Sequence, residues 1–385
     1  MTRALRLGEL RERVRTVTAG PVAEDSVRED LAGAWPERSL RALAGAGMGG
    51  LHAPREAGGS GLGLEALVIA CEELARESPS AAICFGMHCV GTAVISAKAT
   101  EDQMERYLRP IAAGEHLTTL ALSEPGTGSH FWIPETEVRM EDDTLVLDGR
   151  KSFVTSGGHA DSYVLSVTGV EETEAEGRFS CVVLDGDADG ISWEEPWQGF
   201  GMRGNSSRGV MLDGVRLPAG NLLGEPGDQL WYMFEVVAPY FLTAMAGTYL
   251  GIAVEAVEIA REHAASRRHS HTGELLGAEP IVSHRLGEMW VEMERTRQLI
   301  YASARRADAG EPDALAGVLA CKAAAADSSI HLVNEAMTLA GGRGYAGNGK
   351  LGRLLRDARA SHVMAPTTDH LKGWIGRAML NLPLV

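Results

Sequence analysis

The stretch LALSEPGTGSH, residues 120–130, marks the point where the character of the sequence changes, and it decides the fold class. Its first residues have the apolar character of a strand, and they run into a loop that contains Pro125, Gly126 and Gly128. Such a loop exposes backbone N–H groups, and because glycine has no Cβ, a flat ring or a phosphate can approach it closely. Taken alone, the stretch is equally compatible with a plain surface turn.

On the N-terminal side of this stretch the pattern is helical. From residue 3 to about residue 114, apolar residues recur every three or four positions, as in Leu64, Leu67 and Cys71. The most apolar segment, residues 80–97, is broken by glycines and a histidine, whereas a bilayer span needs about 20 firmly apolar residues. We therefore expect this segment to be a buried core helix.

On the C-terminal side the pattern first becomes that of antiparallel strands and then returns to helix. Short apolar runs between Asp-Gly or Gly-Asp turns predict strands at 144–147, 163–167, 181–184 and 210–212. After Pro226 the helical period predicts helices over 233–263, 280–307, 313–339 and 369–380. The sequence thus predicts an α+β fold with an N-terminal α-helical domain (1–118), a middle β-barrel or β-sandwich domain (119–225) and a C-terminal four-helix bundle (226–385).

Composition and charge restrict the function classes. With 45% hydrophobic and 23% charged residues, the 385-residue chain has the composition of a globular protein. Acidic residues outnumber basic ones 52 to 36, and the formal charge of −16 makes nucleic acid and anionic membranes poor partners. The five cysteines form no Cys/His cluster at metal-binding spacing, so no metal is expected. The first residues lack the apolar core of a secretory signal, so a cytoplasmic location is expected.

Two further strings can carry chemistry. The first, GRKSFVTSGG at 149–158, places Phe153 and Thr155 on one face of a strand, where they can lie against an aromatic cofactor. Core packing explains the phenylalanine equally well. The second, AGGRGY at 340–345, is a glycine cluster after a helix and is followed by RDAR at 356–359; a helix C-cap is its plain explanation.

Together, in this order and on this plan, the three strings resemble the acyl-CoA dehydrogenase family, and the resemblance covers nearly the whole chain. Residues 123–129 are similar to the family's flavin loop, and residues 153–155 are similar to its aromatic-Ile-Thr strand beside the isoalloxazine ring. The resemblance implies bound FAD, an acyl thioester substrate, an electron acceptor, and assembly into a homodimer or homotetramer.

The resemblance also implies which residues meet the ligands. The positions that match the family's FAD contacts are Leu122, Ser123, Gly128, Ser129, Phe153, Thr155, Arg267, Gly341, Gly342, Thr367 and Asp369. Among them, Arg267 and the two glycines are expected to reach the FAD of a neighbouring subunit. The positions expected at the substrate are Ser129, His130, Phe241, Met364 and Ala365.

The sequence departs from the family at the catalytic base. Family members remove the α-proton of the thioester with a Glu, which usually follows the RDA string by seven residues; here that position is Ala365. Some members carry the Glu on the first helix after the sheet, and here that position is Phe241. A positioned general base is typically worth about 10²- to 10⁴-fold in rate. Asp369, one helical turn beyond Ala365, is the nearest carboxylate and the candidate replacement; a contact with the cofactor's far end is its alternative role.

Other departures concern recognition of the thioester. The basic residue that approaches CoA in the family is Leu242 here, which argues against ordinary CoA recognition. The family's Gly-Ser-Asp has become Gly128-Ser129-His130, which places an imidazole near the expected entrance of the site. His130 is equally compatible with a hydrogen-bonded loop residue.

Three hypotheses remain open. The first is α,β-oxidation of an acyl or aminoacyl thioester, bound to CoA or to a carrier protein, in specialised metabolism. The second is a flavin-dependent monooxygenase supplied with reduced flavin by a partner reductase, because some oxygenases of this superfamily lack the Glu and have a proline just after its site, as Pro366 does here. The third is a catalytically silent flavoprotein scaffold.

Overall fold

The computed structural model describes residues 6–169, 179–347 and 349–384. Helices form both ends of the chain and strands form the middle, so the predicted α+β order is confirmed. The N-terminal helices are α1 (Leu7–Val17), α2 (Ala23–Ala32), α3 (Glu37–Gly45), α4 (Leu64–Ala75), α5 (Pro79–Ala97), α6 (Glu101–Gln103) and α7 (Arg109–Ala113). The C-terminal helices are α8 (Gln229–Trp231), α9 (Ala238–Ser266), α10 (Pro280–Asp308), α11 (Ala314–Ala340), α12 (Lys350–Val363) and α13 (Thr368–Met379).

Among the described residues, the middle of the chain forms a sandwich of two four-stranded sheets. Its strands are β1 (Thr118–Ala121), β2 (Glu137–Glu141), β3 (Thr144–Val154), β4 (Ser162–Val167), β5 (Ser180–Asp185), β6 (Ile191–Trp193), β7 (Arg208–Pro218) and β8 (Leu222–Leu223). One sheet has the order β1-β4-β5-β8, in which only β1 and β4 run parallel, and the other has the antiparallel order β2-β3-β7-β6. Alternate residues of both sheets, such as Leu145, Leu147, Leu165 and Val182, share one apolar core.

The N-terminal and C-terminal helices share a second, larger core. The sequence-predicted core helix is α5, which is buried from Pro79 to Ile95 because it packs against α4, α9 and β1. In the part of the chain that the structure describes, two segments, Pro79–Ala97 and Gln229–Ser266, are long and apolar enough to cross a membrane, but 89% and 83% of their most apolar windows are buried inside the protein. Both segments therefore have the burial of core helices.

The sandwich is fixed to the C-terminal helices by a loop before β7. The backbone N–H of Met202 donates to Asp357 Oδ1 on α12 at 2.6 Å. Gly201 passes so close to α12 that a Cβ there would lie 2.2 Å from the carbonyl oxygen of Arg356. Gly201 and Met202 also line the candidate site, a cavity between the sandwich and the C-terminal helices.

Candidate functional site

A cavity of about 730 Å³ lies between the β-sandwich and the C-terminal helices, and its volume is within the usual range for cofactor and small-molecule sites. We call its two sides the sheet wall and the helix wall. The sheet wall includes Leu122, Ser123, Glu124, Gly128, Ser129, Phe131, Phe153, Thr155, Trp197 and Phe200. The helix wall includes Val237, Phe241, Leu242, Arg356, Arg359, Val363, Met364, Ala365 and Pro366.

The loop of the sheet wall is anchored by a buried ion pair. The carboxylate of Glu124 pairs with the ammonium group of Lys151 and accepts from the hydroxyl and the backbone N–H of Thr136 at 2.7 and 3.1 Å. Lys151 is completely buried and also donates to the carbonyl oxygen of Ser166 at 2.5 Å. Burial disfavours the charged carboxylate, but the Lys151 charge and the hydrogen bonds outweigh it and hold the pKa of Glu124 below its usual value. Glu124 is thus a fixed structural charge.

Three aromatic side chains of the sheet wall are exposed to the cavity side. Phe153, Trp197 and Phe200 are 60%, 53% and 67% exposed, and the rings of Phe153 and Trp197 meet edge to face with centroids 5.7 Å apart. Phe153 has a φ of +54°, at a register shift between β3 and β7, which is a strained conformation for a bulky residue. Exposed aromatic faces beside the Thr155 hydroxyl suit a flat, partly polar ring.

The helix wall offers no free carboxylate. Among the described residues that line the cavity, Glu124 is the sole carboxylate, and it is already paired. Phe241 and Ala365, which the sequence resemblance assigns to the family's two positions for the base, both lie on the helix wall. The hydroxyl of buried Tyr249 on α9 donates to the sulfur of Met364 at 3.3 Å, and this contact holds Met364 in place on the wall.

Two arginines of α12 also line the cavity. Arg356 pairs with Asp30 of α2, with 2.8 Å between Arg356 Nη1 and Asp30 Oδ1. Arg359 is exposed and has no hydrogen-bond or ion-pair partner among the residues that the structure describes. Glu124 and Arg356 are already paired, so Arg359 is the charged residue of the described lining that can pair with a ligand.

Asp369 lies away from the cavity. It is an exposed residue of the first turn of α13 and is not among the lining residues. Thr367 is the N-cap of that helix, where its hydroxyl accepts from the backbone N–H of His370 at 3.3 Å. Because the chain leaves α12 after Val363 and begins a new helix at Thr368, one helical turn does not separate Ala365 from Asp369. Neither Thr367 nor Asp369 lines the cavity, so the geometry does not support Asp369 as a replacement base, and the contact of both residues with the cofactor stays a prediction.

His130 also lies outside the cavity lining. Its ring packs in an aromatic cluster, with centroids 5.2 Å from Trp132 and 6.0 Å from His370, and His370 in turn lies 4.5 Å from Trp374. Burial and the neighbouring His130 lower the pKa of His370. His130 thus joins the loop after β1 to α13, while the adjacent Ser129 lines the cavity as expected.

Three expected cofactor positions lie at the far ends of helices. Arg267 is the exposed C-cap of α9, and Gly341 and Gly342 are exposed at the end of α11. None of the three lines the cavity of its own chain. Their role toward the FAD of a neighbouring subunit stays a prediction.

Comparisons with known proteins give the family. Family models match the acyl-CoA dehydrogenase N-terminal domain at residues 7–115, the middle domain at 119–215 and the C-terminal domain at 243–380. The chain belongs to the acyl-CoA dehydrogenase family, as the motifs predicted. It is an enzyme family of flavoproteins, and the cavity with its aromatic sheet wall fits the family's FAD.

The relatives are distant but span the chain. A probable acyl-CoA dehydrogenase, fadE25, of Mycobacterium leprae is 27% identical over 97% of this chain and 95% of its own length. A 3-(aryl)acrylate reductase of Clostridium sporogenes is 28% identical over 91% of each chain. The structure of butyryl-CoA dehydrogenase from Megasphaera elsdenii matches with a TM-score of 0.90 at 25% identity, covering 99% of this chain and 100% of that one. The prolyl acyl carrier protein oxidase AnaB has a similar fold, with a TM-score of 0.86 at 22% identity over 97% of this chain and 98% of that one.

Sequence reasoning missed part of the sheet wall. Trp197 and Phe200 belong to the string WQGFG at 197–201, where aromatic residues stand beside glycines and the alternation of a strand is missing. This pattern indicates a loop with exposed aromatic rings and could have been recognised in the sequence. The pairing of Glu124 with Lys151, 27 residues away, had no such signal because it depends on how β3 lies beside the loop after β1.

Proposed function

We propose that the protein is an FAD-dependent oxidoreductase that oxidises the Cα–Cβ bond of an acyl or aminoacyl thioester, presented by CoA or by a carrier protein. The observation that carries this proposal is the single cavity in which Ser123, Phe153 and Thr155 of the sheet wall face the same space as Phe241 and Ala365 of the helix wall. FAD, when bound, supplies the ring that accepts the β-hydrogen as hydride.

The sheet wall holds the residues that would bind and orient this ring. The Phe153 and Trp197 side chains offer apolar ring surface, and the Thr155 and Ser129 hydroxyls offer hydrogen bonds at its polar edges. The helix wall would exclude water from the acyl group through Phe241, since an apolar wall strengthens every polar interaction inside the cavity.

The described lining offers no free carboxylate to accept the α-proton. Ser123, Ser129 and Thr155 line the cavity, but a hydroxyl is a weak base, so the α-proton would pass to solvent water. Hydrogen bonds to the thioester carbonyl would stabilise the enolate that forms and so lower the barrier. We therefore expect thioesters whose α-proton is acidified by a second electron-withdrawing group to be oxidised faster than simple saturated acyl chains.

The thioester carrier, the partners and the assembly are also proposals. Leu242 on the helix wall replaces the family's basic residue, which supports a carrier-protein thioester over free CoA. We propose a homodimer or homotetramer in the cytoplasm, in which Arg267 and the Gly341-Gly342 cluster complete a neighbour's cofactor site, and a separate protein as electron acceptor. Dilution should then release FAD and dissociate subunits together, as followed by flavin fluorescence and light scattering.

The test is anaerobic mixing of the FAD-loaded protein with the same acyl group on CoA and on a carrier-protein phosphopantetheine. We expect loss of the oxidised-flavin absorbance and, by mass spectrometry, an α,β-unsaturated thioester. The comparisons do not favour the monooxygenase alternative. A product that requires O₂ and a flavin reductase would overturn the proposal, and so would bound FAD that no thioester reduces.

A further inference from the structure

A buried lysine lies behind the helix wall. Lys322 of α11 is completely buried, and its ammonium group donates to three backbone carbonyl oxygens, those of Ser361 at 2.5 Å, Met364 at 3.1 Å and Pro366 at 2.9 Å. These carbonyls belong to the last turn of α12 and the turn that follows it. We propose that Lys322 is a positioning residue that fixes residues 361–366 and thereby sets which acyl groups the cavity accepts.

The three hydrogen bonds satisfy backbone carbonyl groups at and just after the end of α12. The last carbonyl groups of a helix have no partner within the helix, and the C-terminal end carries the negative end of the helix dipole. An ammonium group has three N–H donors, and Lys322 directs one to each of three carbonyls. No carboxylate of the described residues forms an ion pair with Lys322, so carbonyl dipoles alone offset its charge.

This way of ending a helix is unfavourable in free energy. Burial of a charge without a counter-ion is unfavourable, and burial lowers the pKa of Lys322 to about 7. A glycine would end the helix without that cost. The gain from Lys322 is therefore a defined position for the segment rather than helix stability.

The fixed segment is the part of the helix wall that faces the substrate. Val363, Met364, Ala365 and Pro366 all line the cavity, and Lys322 binds the carbonyls on both sides of Ala365. Met364 is also held from α9 by Tyr249. Lys322 of α11 and Tyr249 of α9 thus both hold the segment that contains Ala365, the position of the family's usual base. We call the three hydrogen bonds of Lys322 the clamp. The effect on acyl selectivity rests on the proposed function, whereas the clamp itself does not.

The experiment compares Lys322→Met with Lys372→Met in the FAD-loaded protein. Lys372 of α13 is a matched control, because it is an exposed lysine whose ammonium group lies 2.8 Å from Asp327 on the same helix as Lys322. Amide hydrogen exchange of peptides that cover 361–368 reports the clamp, FAD content reports the cofactor site, and kcat and KM for a short and a branched acyl thioester report selectivity.

We expect exchange in 361–368 to rise by roughly tenfold or more in Lys322→Met, because three buried carbonyls lose their donors, and to stay unchanged in Lys372→Met. FAD content should remain, and KM should shift differently for the two thioesters while kcat changes less. Unchanged exchange in 361–368 would overturn the proposal whatever the activity. Raised exchange in a protein that no thioester reduces would support the clamp and reject only the proposed function.

If Lys322→Met does not fold, Lys322→Gln replaces it, because its neutral amide retains two N–H donors on a side chain that is one bond shorter. An exchange rate in 361–368 between those of the wild type and a fully unprotected segment supports the clamp. Wild-type exchange in this variant contradicts it.

Discussion

The two walls of the cavity are built in opposite ways. The sheet wall fixes its loop with the buried Glu124–Lys151 pair and presents aromatic rings and hydroxyls. The helix wall presents Phe241 and Ala365, at the two positions that the sequence resemblance assigns to the family's base. The clamp on this wall is Lys322 of α11, whose ammonium group donates to backbone carbonyls of residues 361–366.

This contrast shows which part of a family site is free to change. A sheet wall that must fit one cofactor keeps its hydrogen bonds, because each lost partner leaves a buried polar group unpaired. A helix wall that meets the substrate is constrained only by the acyl group and its chemistry. The walls should therefore respond differently to substitution.

The largest effect is expected from breaking the buried pair of the sheet wall. Lys151→Met leaves the Glu124 carboxylate buried without a counter-ion, which costs about 3–5 kcal/mol of unfolding free energy, and FAD should be lost with the loop. Urea unfolding and flavin content measure both effects. Arg150→Met is the control, since Arg150 pairs with Glu194 on the surface and its loss should cost about 0–1 kcal/mol. Equal stability of the two variants would contradict the role given to the pair.

The next effect is the pH dependence of stability that comes from His88, which contacts the start of β1. Buried His88 is neutral: its Nε2 donates to the carbonyl oxygen of Gly49 at 2.8 Å, and its Nδ1 accepts from the N–H of Thr118 at the start of β1 at 3.2 Å. Burial lowers the pKa of His88 to about 4. The unfolded residue binds a proton first, so this residue's stabilisation is complete above about pH 6.5 and declines by roughly 3 kcal/mol as the pH falls toward 4.

Urea unfolding at several pH values between 7.5 and 4.5 checks this expectation. His88→Gln should flatten the decline, whereas His284→Gln, which removes an exposed imidazole, should leave it unchanged. Buried His52, whose pKa burial also lowers to about 4, should account for much of the remaining slope. An identical slope in His88→Gln and the wild type would exclude His88 as the source.

A smaller effect is expected from one hydroxyl of the sheet wall. Thr155→Val removes a hydroxyl that lines the cavity, which should weaken FAD binding by about 1 kcal/mol, or up to about 3 kcal/mol if its partner is left buried and unpaired. Flavin affinity and the flavin reduction potential measure the loss. Ser192→Ala removes an exposed hydroxyl from β6 and serves as the control. Wild-type affinity and potential in Thr155→Val would show that Thr155 does not meet the ring.

The sequence predicted lining residues on both walls, but it missed contacts that join distant parts of the chain. The flavin loop and the strand with Phe153 are short continuous segments, so their residue types alone predict a loop and a strand. Asp369 was assigned on the assumption of one continuous helix, but Pro366 and the N-cap Thr367 interrupt it. The clamp by Lys322 could not be predicted, because it joins residues about 40 positions apart through the packing of α11 against α12.

One helix also escaped prediction. The segment from Lys350 to Val363 follows the glycine cluster, and the sequence assigned it no helix. Its buried residues Leu351, Leu354, Ala358 and Ser361 nevertheless recur at helical spacing. The signal was present, and only the neighbouring glycines obscured it.

The most direct test of the contrast is the rate of anaerobic flavin reduction by a simple saturated acyl-CoA in Ala365→Glu. The introduced carboxylate would lie on the same wall as the apolar side chains of Phe241 and Met364, where we expect lost hydration to drive it toward its neutral form, so we predict a gain of less than about tenfold over the wild type. A gain of about 10²-fold or more, with the native reaction unaffected, would contradict the account. It would show that the helix wall has merely lost a base and has not been rebuilt for another ligand.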